Sequence, residues 1–200
     1  MILTHGSNSI NIQTQSVVEV GGKLYPYVQI DNMLFTTLNL DYLPSGVDLG
    51  TSGVPQTATA WYYNNDESTY GWNGMQYGLL YNKLAATIVN SSLPSGWSVV
   101  TYAVIWDKLY KLPDITIYSN ANKWKKDGIT GWNGTNDTLF SAVPSGYRDK
   151  NGVFYEIGST MLMWAYETPN TAFKMDTTNN ASFWGAEAAQ GLCIRLFKYV

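Results

Sequence analysis

"LFSAVPSGYRDKNGVFYEIG", residues 139 to 158, decides how this chain is read. Pro144-Ser145-Gly146 lies between Phe140 and Tyr147, and Asp149-Lys150-Asn151-Gly152 leads into Val153, Phe154 and Tyr155. Proline presets φ and glycine accepts positive φ, so both segments read as turns between short β pieces. The stretch holds neither histidine nor cysteine. It therefore reads as framework, with Phe140 and Tyr147 as core anchors and Arg148 paired to a loop carboxylate.

Working outward, the 200 residues suffice for one domain with a real core, and 45% of them are hydrophobic. Charged residues are only 14%, against 15 Tyr, 8 Trp and 18 Gly. That balance suits short strands and structured loops better than long helices, and aromatic contact surfaces as well. A net charge of -3 argues against nucleic-acid binding, since Lys123, Lys125 and Lys126 form the largest basic cluster. No apolar run approaches the roughly 18 residues of a membrane span. The opening "MILTHGSNSINIQTQ" lacks the pattern of a secretory signal or a lipoprotein anchor. A single cysteine forms no internal disulfide, which fits a protein that does not depend on oxidation.

Residues 1–20 are polar and read as a docking arm, with the domain proper at 21–200. Gly21-Gly22 reads as a hairpin turn, followed by an alternation of Tyr25, Tyr27, Gln29 and Asp31 with Leu24, Val28 and Ile30. Residues 43–59 read as a long loop, and "AWYYNNDES" as a strand entering an Asn-Asn-Asp turn. Two helices are expected. One is in "MQYGLLYNKLAATIVN" (75–90), on a face of Tyr77, Tyr81, Leu84 and Ile88; the other is in "TYAVIWDKLYKL" (101–112), capped by Thr101, buried through Ile105, Leu109 and Leu112 and closed by Pro113. Beyond Pro113 the chain reads as short strands and glycine-punctuated loops, ending in the strand "GLCIRLFKYV". Gly-Trp-Asn-Gly and Pro-Ser-Gly recur, but their surroundings differ, so they are turn solutions and not repeats.

Chemistry is hard to place. One His and one Cys supply no metal set and no nucleophile-base pair, and no Gly-x-Ser-x-Gly elbow, phosphate loop or dinucleotide fingerprint occurs. Cys193, between Leu192 and Ile194, reads as a buried structural thiol. Asp66, Glu67, Asp137, Glu156, Glu167 and Asp176 are the acids from which a carboxylate pair could come, and spacing ranks none of them. Asn64-Asn65-Asp66 and Gly134-Thr135-Asn136-Asp137 could offer oxygens to calcium without indicating it, so no cofactor is expected. The chain reads as a non-enzyme.

The order of motifs carries a resemblance. Ile30-Asp-Asn-Met-Leu-Phe-Thr-Thr-Leu-Asn-Leu40 resembles an "IGNQ-W-AENLN" opening, Tyr62-Tyr-Asn-Asn-Asp66 a "CYNND" strand end, and Tyr77 to Ala86 a "YGRLYNW-AA" segment. Leu93 to Leu109 is similar to "CPAGWRLPT--EW--L", and residues 139–158 to "GFSALP-GYR---G-F---G". Met163 to Glu167 resembles "WWSST", and Gly191 to Lys198 resembles "GFSVRCVK". Seven such matches in order resemble the Fibrobacter succinogenes major paralogous domain family, over roughly residues 22–200. The family's cysteines fall at Tyr62, Leu93 and Leu196, so its disulfide is absent here, and Ile105 replaces a motif glutamate.

The resemblance implies an α+β, C-type lectin-like fold akin to that of formylglycine-generating enzymes, with two helices, small irregular antiparallel sheets and long loops. It implies a framework of Trp97, Phe140, Tyr147, Arg148 and Trp164. Recognition is expected on a loop over 170–184, with Tyr166, Asn170, Phe173, Asn179, Asn180, Phe183 and Trp184 as candidate ligand-binding residues. Phage-borne members are fibre-like or receptor-binding virion proteins, some diversified by retroelements, and others are exported lipoproteins of gut Bacteroidota. The lost cysteines and missing signal favour a virion protein made in host cytoplasm. Its expected partners are a host-surface glycan or protein, or other virion proteins, and the chain is expected to be a homo-oligomer. The alternatives are a bacterial surface adhesion protein or a purely structural, oligomerising virion component. An oxidase of the formylglycine-generating kind needs a reactive cysteine pair, and one cysteine in an apolar strand speaks against it.

Overall fold

The structure is a computed structural model that describes residues 2–5, 8–11, 16–51, 53, 55, 57–112, 115–168 and 170–200. In chain order its elements are β1 (Ile2–His5), β2 (Asn8–Asn11), β3 (Val17–Val20), β4 (Lys23–Ile30), β5 (Met33–Thr36), β6 (Asp48–Leu49), β7 (Thr59–Trp61), α1 (Glu67–Tyr70), β8 (Leu80–Tyr81), α2 (Lys83–Ser91) and β9 (Ser98–Val99). The second half adds β10 (Ser145–Arg148), β11 (Phe154–Ile157), β12 (Thr160–Trp164), β13 (Thr171–Asp176), β14 (Ala181–Gly185) and β15 (Leu196–Tyr199). The fold is mixed α+β, mostly sheet with few helices. One five-stranded sheet runs β3-β4-β5-β15-β9 and the other β11-β10-β12-β13-β14, beside a three-stranded sheet β6-β7-β8 and the β1-β2 hairpin. The sheets are not wholly antiparallel, because β6–β7 and β10–β12 pair in parallel.

Gly21 and Gly22 both take positive φ, 58° and 76°, and join β3 to β4 with Val20 opposite Lys23. Two positive φ values define the turn whose twist matches that of its strands, as the Gly-Gly pair suggests. The boundary drawn at 20/21 falls within this hairpin, whose β3 buries Val18 and Val20. On β4 Tyr25 is buried and Leu24 exposed, while Ile30 is buried farther along. The strand changes partner near Pro26, from β3 to β5. The 43–59 loop is interrupted by β6.

Both expected helices need correction. The first begins only at Lys83, where the Asn82 side chain accepts the Ala85 N–H at 2.8 Å. Tyr81 is already committed to β8, so the buried face is Ala85, Ala86 and Val89 and not Leu84, which is 52% exposed. In the second, Thr101 Oγ1 does accept the Val104 N–H at 3.2 Å, and Ile105 and Leu109 are buried. Yet the segment passes through a π turn at Val104–Lys108 and a 3-10 turn at Leu109–Lys111. Pro113 lies outside the described residues. A further 3-10 turn, Ala121–Trp124, appears where only strands and loops were expected.

Strand β12 explains why the halves hold together. Its alternation sends Met161 and Met163 into one core cluster and Leu162 and Trp164 into the other. The loops are held by buried tryptophans: the ring N–H of Trp124 donates to Ile115 O, Trp132 to Ala142 O and Trp164 to Tyr81 O, at 2.7 to 2.8 Å. A buried indole N–H is costly unpaired, and in return Trp124 and Trp132 each fix a loop carbonyl while Trp164 fixes the end of β8.

The residues 139–158 are framework as expected, with three corrections. Phe140 is a core residue, but Tyr147 is only half-buried and stacks on Tyr155 at 5.5 Å. Arg148 pairs with no carboxylate among the described residues; it is buried, lies 4.2 Å over the Trp61 ring and donates to Gly53 O. Pro144-Ser145-Gly146 is not a turn, because Ser145 and Gly146 begin β10; Gly146 has φ of 64°, and a Cβ there would sit 2.5 Å from Tyr155 O, so this strand position admits only glycine. Trp97 is half-buried against Tyr27, and Trp164 is fully buried. Ile105, in the motif's acidic position, points into the core.

Arg195 is wholly buried without a counter-carboxylate among the described residues. It donates to Asn39 Oδ1 at 2.8 Å, Thr36 O at 3.2 Å, Ser141 O at 2.7 Å and Phe140 O, and lies 4.5 Å over the Phe140 ring. Arg195→Ala strands these acceptors without donors, and chemical denaturation should show a loss of roughly 3–4 kcal/mol. Leu139, at the motif's first glycine, takes φ of 59° with its side chain mostly exposed. Relief of a left-handed conformation worth about 1–2 kcal/mol exceeds the entropy glycine adds, about 0.5–1 kcal/mol. Leu139→Gly should therefore raise the melting temperature slightly.

Candidate binding groove

The helical segment that buries Ile105 and Leu109 carries an aromatic row beside that buried face. Tyr102, Trp106 and Tyr110 follow at intervals of about one helical turn, with ring centroids 6.2 and 5.2 Å apart. From the facing sheet β14 inserts Phe183, whose ring lies 4.5 Å from Tyr102, 5.6 Å from Tyr110 and 6.0 Å from Trp106. Tyr118 closes the row at 5.5 Å from Tyr110. Trp106, Tyr110, Tyr118, Ser182 and Phe183 line an open groove of about 470 Å³. Trp106 is 44% and Tyr118 55% exposed, a high degree for rings of this size.

The groove is built rather than accidental. Tyr110 donates its hydroxyl to Ala181 O at 3.2 Å, and Tyr118 O accepts the Ala181 N–H at 3.0 Å, which ties both walls together. Burial, then the nearby tyrosines 118 and 102, push the Tyr110 hydroxyl up to about 12. The lining side chains hold no carboxylate, amine, imidazole or thiol. What the groove offers is flat ring faces with a few hydroxyls, suited to stacking on the C–H face of a sugar or taking an apolar side chain.

The expected recognition loop is in fact a hairpin: residues 170–184 are mostly β13 and β14, paired Phe173 to Phe183. Phe173 is buried and meets Phe183 from the core side at 5.8 Å. Only Phe183 of the seven candidates enters the groove. Trp184, on the other face of β14, is exposed and packs edge-on against Tyr147 at 5.5 Å beneath Lys174. Asn179 and Asn180 are exposed on the intervening turn, and the Asn179 carbonyl accepts the Ala121 N–H. Asn170 is exposed with φ of 58°, and Tyr166 lies half-buried under Lys83. Sequence reasoning thus missed Tyr102, Trp106, Tyr110, Tyr118 and Ser182. The signal was there, since an aromatic at every fourth position beside Ile105 and Leu109 marks a second stripe on the same segment.

Other groups are accounted for by the fold. Cys193 is buried, and its thiol is pushed up to about 11 by that burial. Asp66 caps α1 through Thr69 N, and Asn136 Oδ1 accepts Ser141 N, so the oxygen-rich segments serve their own turns. Among the described residues no group of three or more His, Cys, Asp or Glu is placed to hold a metal ion, and no helix is long and apolar enough to cross a membrane. Comparison of the chain with models of known families, with curated proteins and with solved structures finds no match.

The turn before β14 rests on a buried lysine. Lys125 Nζ donates to Thr178 O at 2.5 Å and Asn133 Oδ1 at 2.9 Å, 4.7 Å over the Trp132 ring. Desolvation pulls its amine down to about 8, against a weaker opposing pull from Asp176. An unfolded lysine keeps its proton to about 10.4, so unfolding takes up a proton between these values. Stability should therefore rise with pH above about 8, with the contribution flat below. Urea unfolding at a series of pH values should show this rise, and Lys125→Met should remove it.

Proposed function

We propose that this chain is a non-enzymatic bacteriophage virion protein, fibre-like, receptor-binding or decorating. Its C-type lectin-like domain, of the Fibrobacter succinogenes major paralogous kind, binds a host-surface glycan through the aromatic groove. The reading rests on one observation: Trp106, Tyr110, Tyr118 and Phe183 form an open row of rings whose lining carries no catalytic group. Enzymes concentrate titratable pairs in their clefts, whereas sugar- and protein-binding sites present rigid aromatic faces with a few polar groups at the rim. The motif order supplies the virion context, and a protein ligand, from the host surface or the particle, would use the same rings.

Trp106→Ala and Tyr118→Ala remove exposed rings without emptying the core. Each should weaken binding to host-surface polysaccharide, or particle adsorption, about ten-fold, the worth of one stacking contact. Melting temperatures should stay close to that of the unmodified chain. Unchanged adsorption in the double variant would remove the groove from recognition. Absence of the protein from purified particles, with presence in host membrane fractions, would instead favour the bacterial adhesion protein.

A further inference from the structure

Strand β14 ends its sheet, and its outer edge is open over a short, definable length. Ala165 N donates to Thr171 O and Ala186 N to Asn170 O. In an antiparallel ladder this alternation turns the odd residues of β13 towards β12 and its even residues towards β14. On β14, residues 182 and 184 therefore bond inward, while 181, 183 and 185 face outward. The outward groups of Ala181 are occupied by Tyr118 O and the Tyr110 hydroxyl. Phe183 and Gly185 present their N–H and C=O groups to the edge, and the strand stops there.

We propose that this edge is the seam of a two-fold dimer, in which β14 pairs antiparallel with β14 of a second copy about an axis through Trp184. The open set is self-complementary. Phe183 falls opposite Gly185 of the partner subunit and exchanges both hydrogen bonds with it, and the symmetric pair repeats this, so the four open groups on each copy are satisfied. A Cβ at Gly185 would meet nothing within 4 Å, so the face across from Phe183 has room for its ring. Glycine opposite an aromatic is a pairing that sheets use to cover the missing side chain.

Electrostatics agree with a second copy as occupant. A two-fold contact sets like charges against each other, and natural sheet edges deter such pairing with lysines. Residues 177–186 carry no charge at all, and Lys174 and Asp176, next on β13, pair with each other at 3.6 Å. Trp184, 39% exposed beside the axis, brings roughly 60–100 Å² of aromatic surface per copy, from a side chain of 150–250 Å², and leaves the groove rings open. That is under half of the roughly 800 Å² per partner of a stable interface, so strand pairing supplies the rest and the dimer is reversible. The axis stands across the joined sheet, so both grooves stay on one face and a ligand meets two of them.

The dimer needs no ligand to test. Sedimentation of the purified chain over a wide concentration series should show the mass double, and exchange of the Phe183 and Gly185 amides should slow as concentration rises. Gly185→Lys and Gly185→Asp place like charges across the axis and should raise the dissociation constant at least about ten-fold while the melting temperature holds. A chain that stays monomeric throughout overturns the proposal. So does a dimer that both variants leave intact, or one whose Phe183 and Gly185 amides exchange at the monomer's rate. Should the variants fail to fold, the amide exchange of the unmodified chain decides.

Discussion

A buried guanidinium that meets no carboxylate among the described residues constrains the whole structure. Arg195 enters between the two sheets and finds only neutral acceptors: two carbonyls of the loop that carries Phe140, the carbonyl of Thr36 at the end of β5, and the Asn39 side chain. Burial pulls its pKa down to about 10, and the charge persists at neutral pH because the donors are shared among well-placed oxygens. Asn39, Phe140 and Ser141 belong to irregular segments with no ladder to hold them, while Thr36 ends β5. One side chain just before the last strand thus ties the early sheet to the mid-chain loop.

The same logic accounts for the tryptophans. In a fold with so few helices, many backbone carbonyls lie in loops, and buried loops are costly unless each polar group is paired. Trp124 and Trp132 each bury a large apolar surface and deliver one N–H to such a carbonyl, and Trp164 does the same for the last carbonyl of β8. Composition alone made the tryptophans look like contact surface, and these three serve instead as staples. The rings around Trp106 and Phe183 stay partly open, and they are the ones on which the proposed recognition rests.

Groove and edge meet in β14. Phe183 belongs to both, through its ring on one side and its backbone on the other. A ligand bound in the groove therefore lies beside the seam, and pairing of two copies would bring two modest sites together. On the proposed reading, joining two shallow, uncharged sites would raise avidity for a ligand that spans both.

The sequence by itself determined the features that depend on local stereochemistry. The Gly21-Gly22 turn, the Asp149-Lys150-Asn151-Gly152 turn, the Thr101 cap and the apolar setting of Cys193 were legible because each follows from the residue and its neighbours. Only tertiary structure decided where helix α2 begins, since Tyr81 satisfies a helical period and a strand equally until β7 claims it. It also decided that Phe173 faces the core, that Arg148 rests on Trp61 rather than on an acid, and that a stripe of aromatics at 102–110 meets a phenylalanine some seventy residues away. Those outcomes depend on which surfaces come together across the chain, and local stereochemistry carries no information about that.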